Sequence, residues 1–131
     1  LTDAEKGTWP KEVLPVRKVS KGGASVETDK NSPVLLVGDS HTLVFNEGGE
    51  MHCQGGGLVD HLSQRLGIPV DRMANKGSGG HSPRMEIARR SFQEPDMWEG
   101  KKLFVWCFSA REFTQGQWKA GIPAKYVKKA P

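Results

Sequence analysis

Four consecutive apolar residues, Val34-Leu35-Leu36-Val37, run straight into Gly38-Asp39-Ser40, and this junction constrains the fold more than any other stretch of the chain. A strand with one face in water alternates apolar and polar residues. An unbroken Val/Leu run instead predicts a strand covered on both faces, as in a parallel sheet between helices. Gly38 lets the chain turn sharply where the strand ends, which presents Ser40 at the sheet edge. Pro69 to Ala74, with Val70, Met73 and Ala74, predicts a second strand that leads into Asn75-Lys76-Gly77-Ser78-Gly79-Gly80. Leu103 to Phe108 (Leu-Phe-Val-Trp-Cys-Phe) predicts a third buried strand, ending at Ser109-Ala110-Arg111.

Helical patterns separate these runs. Leu58, Val59, Leu62 and Leu66 recur at helical spacing and Gly67 supplies a stop. Ser82-Pro83 reads as an N-cap followed by proline at the first helical position, with Met85, Ala88 and Phe92 lining one side of a helix up to Pro95. The order strand-helix-strand-helix-strand predicts right-handed parallel crossovers and a three-layer α/β domain with a mostly parallel sheet. Ligands of such sheets bind beyond the carboxyl ends of the strands, where the strand order reverses. The Gly38–Ser40, Asn75–Gly80 and Ser109–Arg111 segments are all expected there.

A chain of 131 residues fits one domain, large enough to bury roughly two-thirds of its unfolded surface. Residues 1–32 mix Pro, Gly and alternating charges around Val13, Val16 and Val19 and read as a weakly structured lead-in or edge strand; residues 33–131 carry the α/β pattern. No apolar run is long enough for a membrane span, and no internal repeat is present. No charged segment followed by an apolar stretch opens the sequence, and the start at Leu1 reads as a cut from a longer chain. Cys53 and Cys107 are too far apart for a paired metal knuckle and read as two small semi-buried side chains. The net charge of +4 is uneven: Lys101 to Pro131 holds Lys101, Lys102, Arg111, Lys119, Lys125, Lys128 and Lys129 against Glu112 alone. That is a solvated basic face or a grip on an anionic polymer, and without an aromatic-interleaved motif no nucleic-acid partner is expected.

Ser40 is the residue with the most chemistry to offer. A serine hydroxyl becomes a nucleophile only when a base takes its proton and donors stabilise the oxyanion formed at the acyl carbon. The turn suits this use, since the Ser40 backbone N–H can point at the oxyanion; the same tripeptide also fits a plain turn in which Asp39 caps the next segment. The Asn75–Gly80 loop lacks the Lys-Ser/Thr ending and the spacing of a phosphate cradle. Of the four histidines, His41 directly follows Ser40 and His81 adjoins the glycine loop, while His52 reads as a loop residue and His61 as an exposed helix residue. Asp39-Ser40-His41 forms an Asp-x-His through overlap with the serine motif. Arg111 is either a site group after a buried strand or a surface charge paired with Glu112.

Val-Leu-Leu-Val-Gly-Asp-Ser over Val34–Ser40 resembles the first block of SGNH hydrolases, and Asn75–Gly80 resembles their second. The resemblance implies an incomplete SGNH/flavodoxin-like α/β fold, with Ser40 as nucleophile, the N–H groups of Ser40 and Gly80 as oxyanion donors, and Asp39, His41, Asn75, His81 and Arg111 as pocket candidates. The third block departs from the family, because Phe108-Ser109-Ala110-Arg111 stands where Gly-x-Asn-Asp is expected. Ala110 has no side-chain donor, and losing one such donor costs about 2.7–4 kcal/mol of transition-state stabilisation. Trp106 to Phe113 is similar to the third segment of alginate O-acetyltransferase-like members, in which an aromatic-rich strand leads to an arginine. Those proteins carry an Asp-x-His ahead of the serine block, so the branch implies a catalytic Asp and His upstream of Leu1. It further implies O-acetyl transfer to, or hydrolysis from, a carbohydrate or polysaccharide, a periplasmic or extracellular setting, and no metal or organic cofactor. The competing expectations are a non-catalytic SGNH-like module gripping an acidic glycan and an intracellular esterase of small molecules.

Overall fold

The computed structural model describes residues 12–21, 24–77, 79–116, 118 and 121–126. Strand β1 (Ser20–Lys21) pairs antiparallel with β2 (Ala24–Ser25) in a minimal hairpin. The rest is α/β: β3 (Val34–Gly38), α1 (Ser40–Leu43), α2 (Leu58–Leu66), β4 (Asp71–Ala74), α3 (His81–Gln93), β5 (Leu103–Cys107) and α4 (Glu112–Gln115). Short 3-10 turns lie at Gly49–Met51, Pro95–Trp98 and Ala124–Tyr126. Among the described residues no helix is long and apolar enough to cross a membrane.

The three-stranded sheet is parallel, in the order β4-β3-β5. The chain goes from the central strand to one neighbour and then crosses to the other, so the order reverses at β3. Alternation along β3 divides its apolar run between two faces. Val34 and Leu36 join Val59 and Leu62 of α2, with Val70, Val105 and Cys107. Leu35 and Val37 join Met73, Trp106, Ile87 of α3 and Met97 of the following turn. Residues Val34 to Val37 are at most 6% exposed, and burying each such side chain contributes about 1.5–3 kcal/mol. The unbroken run thus has a physical cause: each alternate residue faces a separate helical layer.

Helix α2 matches its sequence pattern, starting at Leu58 and ending at Gly67, which takes the left-handed conformation at φ 71°. Its first turn is closed by Asp60, whose Oδ2 accepts from the Gly57 amide at 2.9 Å and from Asn46 Nδ2 at 2.8 Å.

Three expectations are corrected. Helix α3 begins at His81 after Gly80, ahead of the predicted Ser82 N-cap. Pro83 is tolerated there because first-turn amides have no intrahelical acceptor to lose. The predicted apolar stripe Met85–Ala88–Phe92 is only partly internal: Ala88 is buried, Phe92 is exposed beside Tyr126, and Ile87 and the guanidinium of Arg90 point inward. The third strand is not buried along its length either. It is a sheet edge, and Leu103 and Phe104 are 46% and 43% exposed. An apolar run looks alike in sequence whether one or two strands flank it.

Lys101 also leaves the basic tail to which its position assigned it. Its Nζ reaches Asp71 Oδ2 at 2.9 Å and the carbonyls of Lys30 and Ser32 at 2.6 and 2.7 Å. Arg90 Nη1 meets both oxygens of Asp71 at 3.0 and 2.8 Å, and its Nε meets Glu94 at 2.9 Å. Asp71, Arg90 and Lys101 thus form a buried ion cluster at the amino end of β4, the end away from the serine loop. Lys119, Lys128 and Lys129 lie outside the described residues. The lead-in is attached at Val19, which is buried and donates its amide to the Gly55 carbonyl at 2.6 Å.

Candidate active site

The sheet register brings the three loops together. Gly38 pairs with Ala74 on one side and with Cys107 on the other, so β3, β4 and β5 end at one level. Asp39, Asn75 and Phe108 therefore leave the sheet side by side, and the Asn75 amide donates to the Gly38 carbonyl at 3.3 Å.

Gly38 is required by close approach. A Cβ at this position would overlap Thr42 Oγ1 and lie 3.0 Å from the Cys107 carbonyl. That absence of a side chain lets α1 start directly behind the strand. Asp39, 1% exposed, then does two jobs with its two oxygens. Oδ1 accepts from the His41 amide at 2.9 Å, capping α1, and lies 3.1 Å from His41 Nδ1. Oδ2 accepts from the Ser109 amide at 3.1 Å, which ties the loop after β5 to the loop after β3. The capping role foreseen for Asp39 is present, and the cross-loop bond adds a second role that sequence spacing could not reveal.

Ser40 is the first residue of α1, half-buried, and no described residue hydrogen-bonds to its hydroxyl. His41 does not pair with it. The His41 side chain is 57% exposed and engages Asp39, because neighbouring positions on a helix point about 100° apart. Asn75 Nδ2 donates to Ser82 Oγ at 3.2 Å, fastening the glycine loop to the first turn of α3. His81 opens that helix, and its buried Nδ1 has no hydrogen-bond partner among the described residues. Ser78 lies outside the described residues.

The amide assigned to the oxyanion is already engaged. Gly80 N–H donates to Glu112 Oε2 at 3.0 Å, and Glu112 is only 8% exposed. Two glycines make room for this contact. Gly79 has φ +53°, and a Cβ on it would strike the Glu112 carboxylate; a Cβ on Gly80 would lie 2.7 Å from the Trp118 ring. Trp118 Nε1 donates to the Glu112 carbonyl at 2.8 Å, fixing the segment from a second side. Glu112 is therefore not the surface partner of Arg111. Arg111 is exposed and contributes its carbonyl to the Thr114 and Gln115 amides of α4. Ala110 is exposed and brings no side-chain donor.

Sequence reasoning missed Glu112 and Trp118 as site neighbours. One signal is available: Glu112 is the only acid from Lys101 onward, set among seven basic residues. Aromatic rings frame the same edge. Phe108 lies 5.4 Å from Phe113 and 6.0 Å from Trp118, Trp106 lies 5.9 Å from Trp118, and Arg84 stands 6.0 Å above the Trp118 ring. His52 sits in an exposed loop against Phe45, His61 is half-buried on α2, and Cys53 and Cys107 are free and half-buried.

Compared with family models, curated proteins and solved structures, the chain matches none. What stands on the residues themselves is an α/β domain whose serine turn, glycine loop and aromatic loop converge at the carboxyl edge of a parallel sheet.

Proposed function

We propose that this domain performs serine-dependent acyl-ester chemistry, transferring O-acetyl groups to a carbohydrate or polysaccharide or hydrolysing them from it. The observation that carries this reading is the Ser40 hydroxyl at the reversal point of the sheet, unengaged among the described residues, above a buried Asp39 that binds two of the three loops together. In this reading Ser40 Oγ attacks the acetyl carbonyl, its proton passes to a base, and the negative oxygen is met by the Ser40 and Gly80 amides. Collapse of the tetrahedral species expels the donor alcohol, and a sugar hydroxyl or water then takes the acetyl group. Asp39 acts as a positioning residue. His41 is held by Asp39 rather than aimed at Ser40, so His41 is not the base, and the resemblance to alginate O-acetyltransferase-like proteins implies an Asp-x-His pair in that role. The same resemblance favours an exported glycan and a periplasmic or extracellular setting.

A second reading is favoured by a specific contact. With Gly80 N–H given to Glu112 and Ala110 in place of a donor, the loops can serve a non-catalytic module that binds an acidic glycan. Incubation with an activated acetyl ester such as p-nitrophenyl acetate separates the two. With imidazole supplied as an external base, the enzyme reading expects acetyl on Ser40 by peptide mass spectrometry and its loss in Ser40→Ala. Equal ester turnover by Ser40→Ala rejects Ser40 as the nucleophile.

A further inference from the structure

We infer that Glu112 is an internal occupant of the Gly80 amide, an autoinhibitory contact that must withdraw before an anionic or oxyanionic group can use that donor. The inference rests on the reading of the site given above. A stabilising donor is useful only if it is free when negative charge develops on the substrate. Here the donor already faces the Glu112 carboxyl oxygen at 3.0 Å, and an oxyanion would compete with it for one N–H. The contact is built into both partners. Gly79 and Gly80 lack the side chains that would expel the carboxylate and the covering Trp118, and Trp118 bonds the backbone of Glu112 itself. The Ser109 amide, three residues earlier, is pinned by Asp39. Backbone anchors on both sides thus hold the segment, and the Trp118 ring packs it against Gly80, while the carboxylate takes the Gly80 amide itself. Withdrawing that one side chain frees the amide without dismantling the loop.

A carboxylate at this place has a purely architectural alternative, in which it only fastens the start of α3. The two roles differ in what happens when it is removed. An internal occupant lowers the apparent affinity of an external anion by the fraction of time the amide is free, so its removal raises that affinity; we expect at least about tenfold. A fastener leaves no competent anion site behind.

The test uses the full chain, isotope-labelled, with sodium acetate as the probe and the Gly80 amide resonance as the readout. Wild type is expected to show no saturable shift of that resonance at acetate concentrations that titrate it in Glu112→Ala. Glu112→Gln keeps a neutral acceptor of the same shape and is expected to fall between the two, which covers the case in which the alanine variant does not fold. A Gly80 resonance that responds to acetate equally in wild type and variants overturns the inference, and so does one that responds in none of the folded proteins. Ester turnover is measured on the same samples with and without Ser40→Ala. Acetate binding unmasked without any Ser40-dependent turnover, even with imidazole added as an external base, would uphold the occupant and reject the acyl-transfer reading. Ser40-dependent turnover with no unmasking of the amide would do the reverse.

Discussion

Replacing Asp39 by Asn is the most informative single change near the site, because it keeps the shape of the side chain and removes one acceptor. In the native structure Oδ1 serves the His41 amide at 2.9 Å and Oδ2 serves the Ser109 amide at 3.1 Å, with the side chain almost wholly buried. An asparagine oxygen can satisfy only one of these. If it keeps the α1 cap, its NH2 faces the Ser109 N–H, donor against donor, and that half-buried amide loses its partner. Losing the charge-assisted bond and stranding the amide costs about 1.5–3 kcal/mol. If the amide group flips, the deficit moves to the more exposed His41 amide and falls to about 1 kcal/mol, the usual value of a lost cap. Asp39→Ala loses both and should cost about 2.5–4 kcal/mol by addition of the two effects. A domain of this size has roughly 5–15 kcal/mol in total, so the alanine variant stands close to its limit. Urea denaturation at constant m-value reads the loss, and amide hydrogen exchange at Ser109 locates it. An Asp39→Asn protein within about 0.5 kcal/mol of wild type, with Ser109 exchanging at its native rate, would refute the claim that this carboxylate holds the two loops together.

Asp71→Asn should destabilise the fold by about 3 kcal/mol, the low end for breaking a buried pair, because Arg90 keeps Glu94 and Lys101 keeps two carbonyls. Thermal melts should show this as a loss of about 10 °C, and replacement of Asp71, Arg90 and Lys101 together by apolar residues should recover most of it. Gly38→Ala should cost more than about 2 kcal/mol and abolish any Ser40-dependent turnover, since Thr42 Oγ1 and the Cys107 carbonyl occupy the space of the methyl group; a circular-dichroism melt near wild type would contradict the packing. The acid limb of stability should reflect Glu94 and Glu86. The hydrogen bond from Arg90, then that from Lys30, holds Glu94 below the ordinary carboxyl range, and Arg89 does the same for Glu86 despite the opposing effect of burial. Carboxyls depressed on folding stabilise fully above their unfolded value of about 4.3, and that contribution is lost as pH falls through the lower folded values. Melting temperature should therefore decline below about pH 4, and Glu94→Gln should flatten the decline.

Periodicity and chain order alone carried the elements that depend on neighbours close in sequence. Val34–Val37 predicted a strand covered on both faces, Leu58–Leu66 a helix ended by Gly67, and the alternation of the two types a parallel sheet with site loops at one edge. Each rests on local patterning or on the rule that parallel strands need long crossovers, which sequence order expresses directly. The errors came where burial depends on what lies across the fold. Leu103 and Phe104 looked like core and stand at an edge; Phe92 looked internal and is exposed; Lys101 looked like part of a solvated tail and is sunk against Asp71. Helix α3 starts earlier than its best local cap, and the amide of the residue before it is met by a residue 32 positions away.

The candidate site divides in the same manner. Ser40, Asp39, Asn75 and Gly80 are legible because a tight turn and a close-packed loop demand particular side chains at particular places. Which oxygen of Asp39 meets Ser109, and that Glu112 meets Gly80, was decided only when β3, β4 and β5 came into register. A hydrogen bond needs its atoms within about 3 Å, and no local pattern encodes a distance between loops some thirty or seventy residues apart.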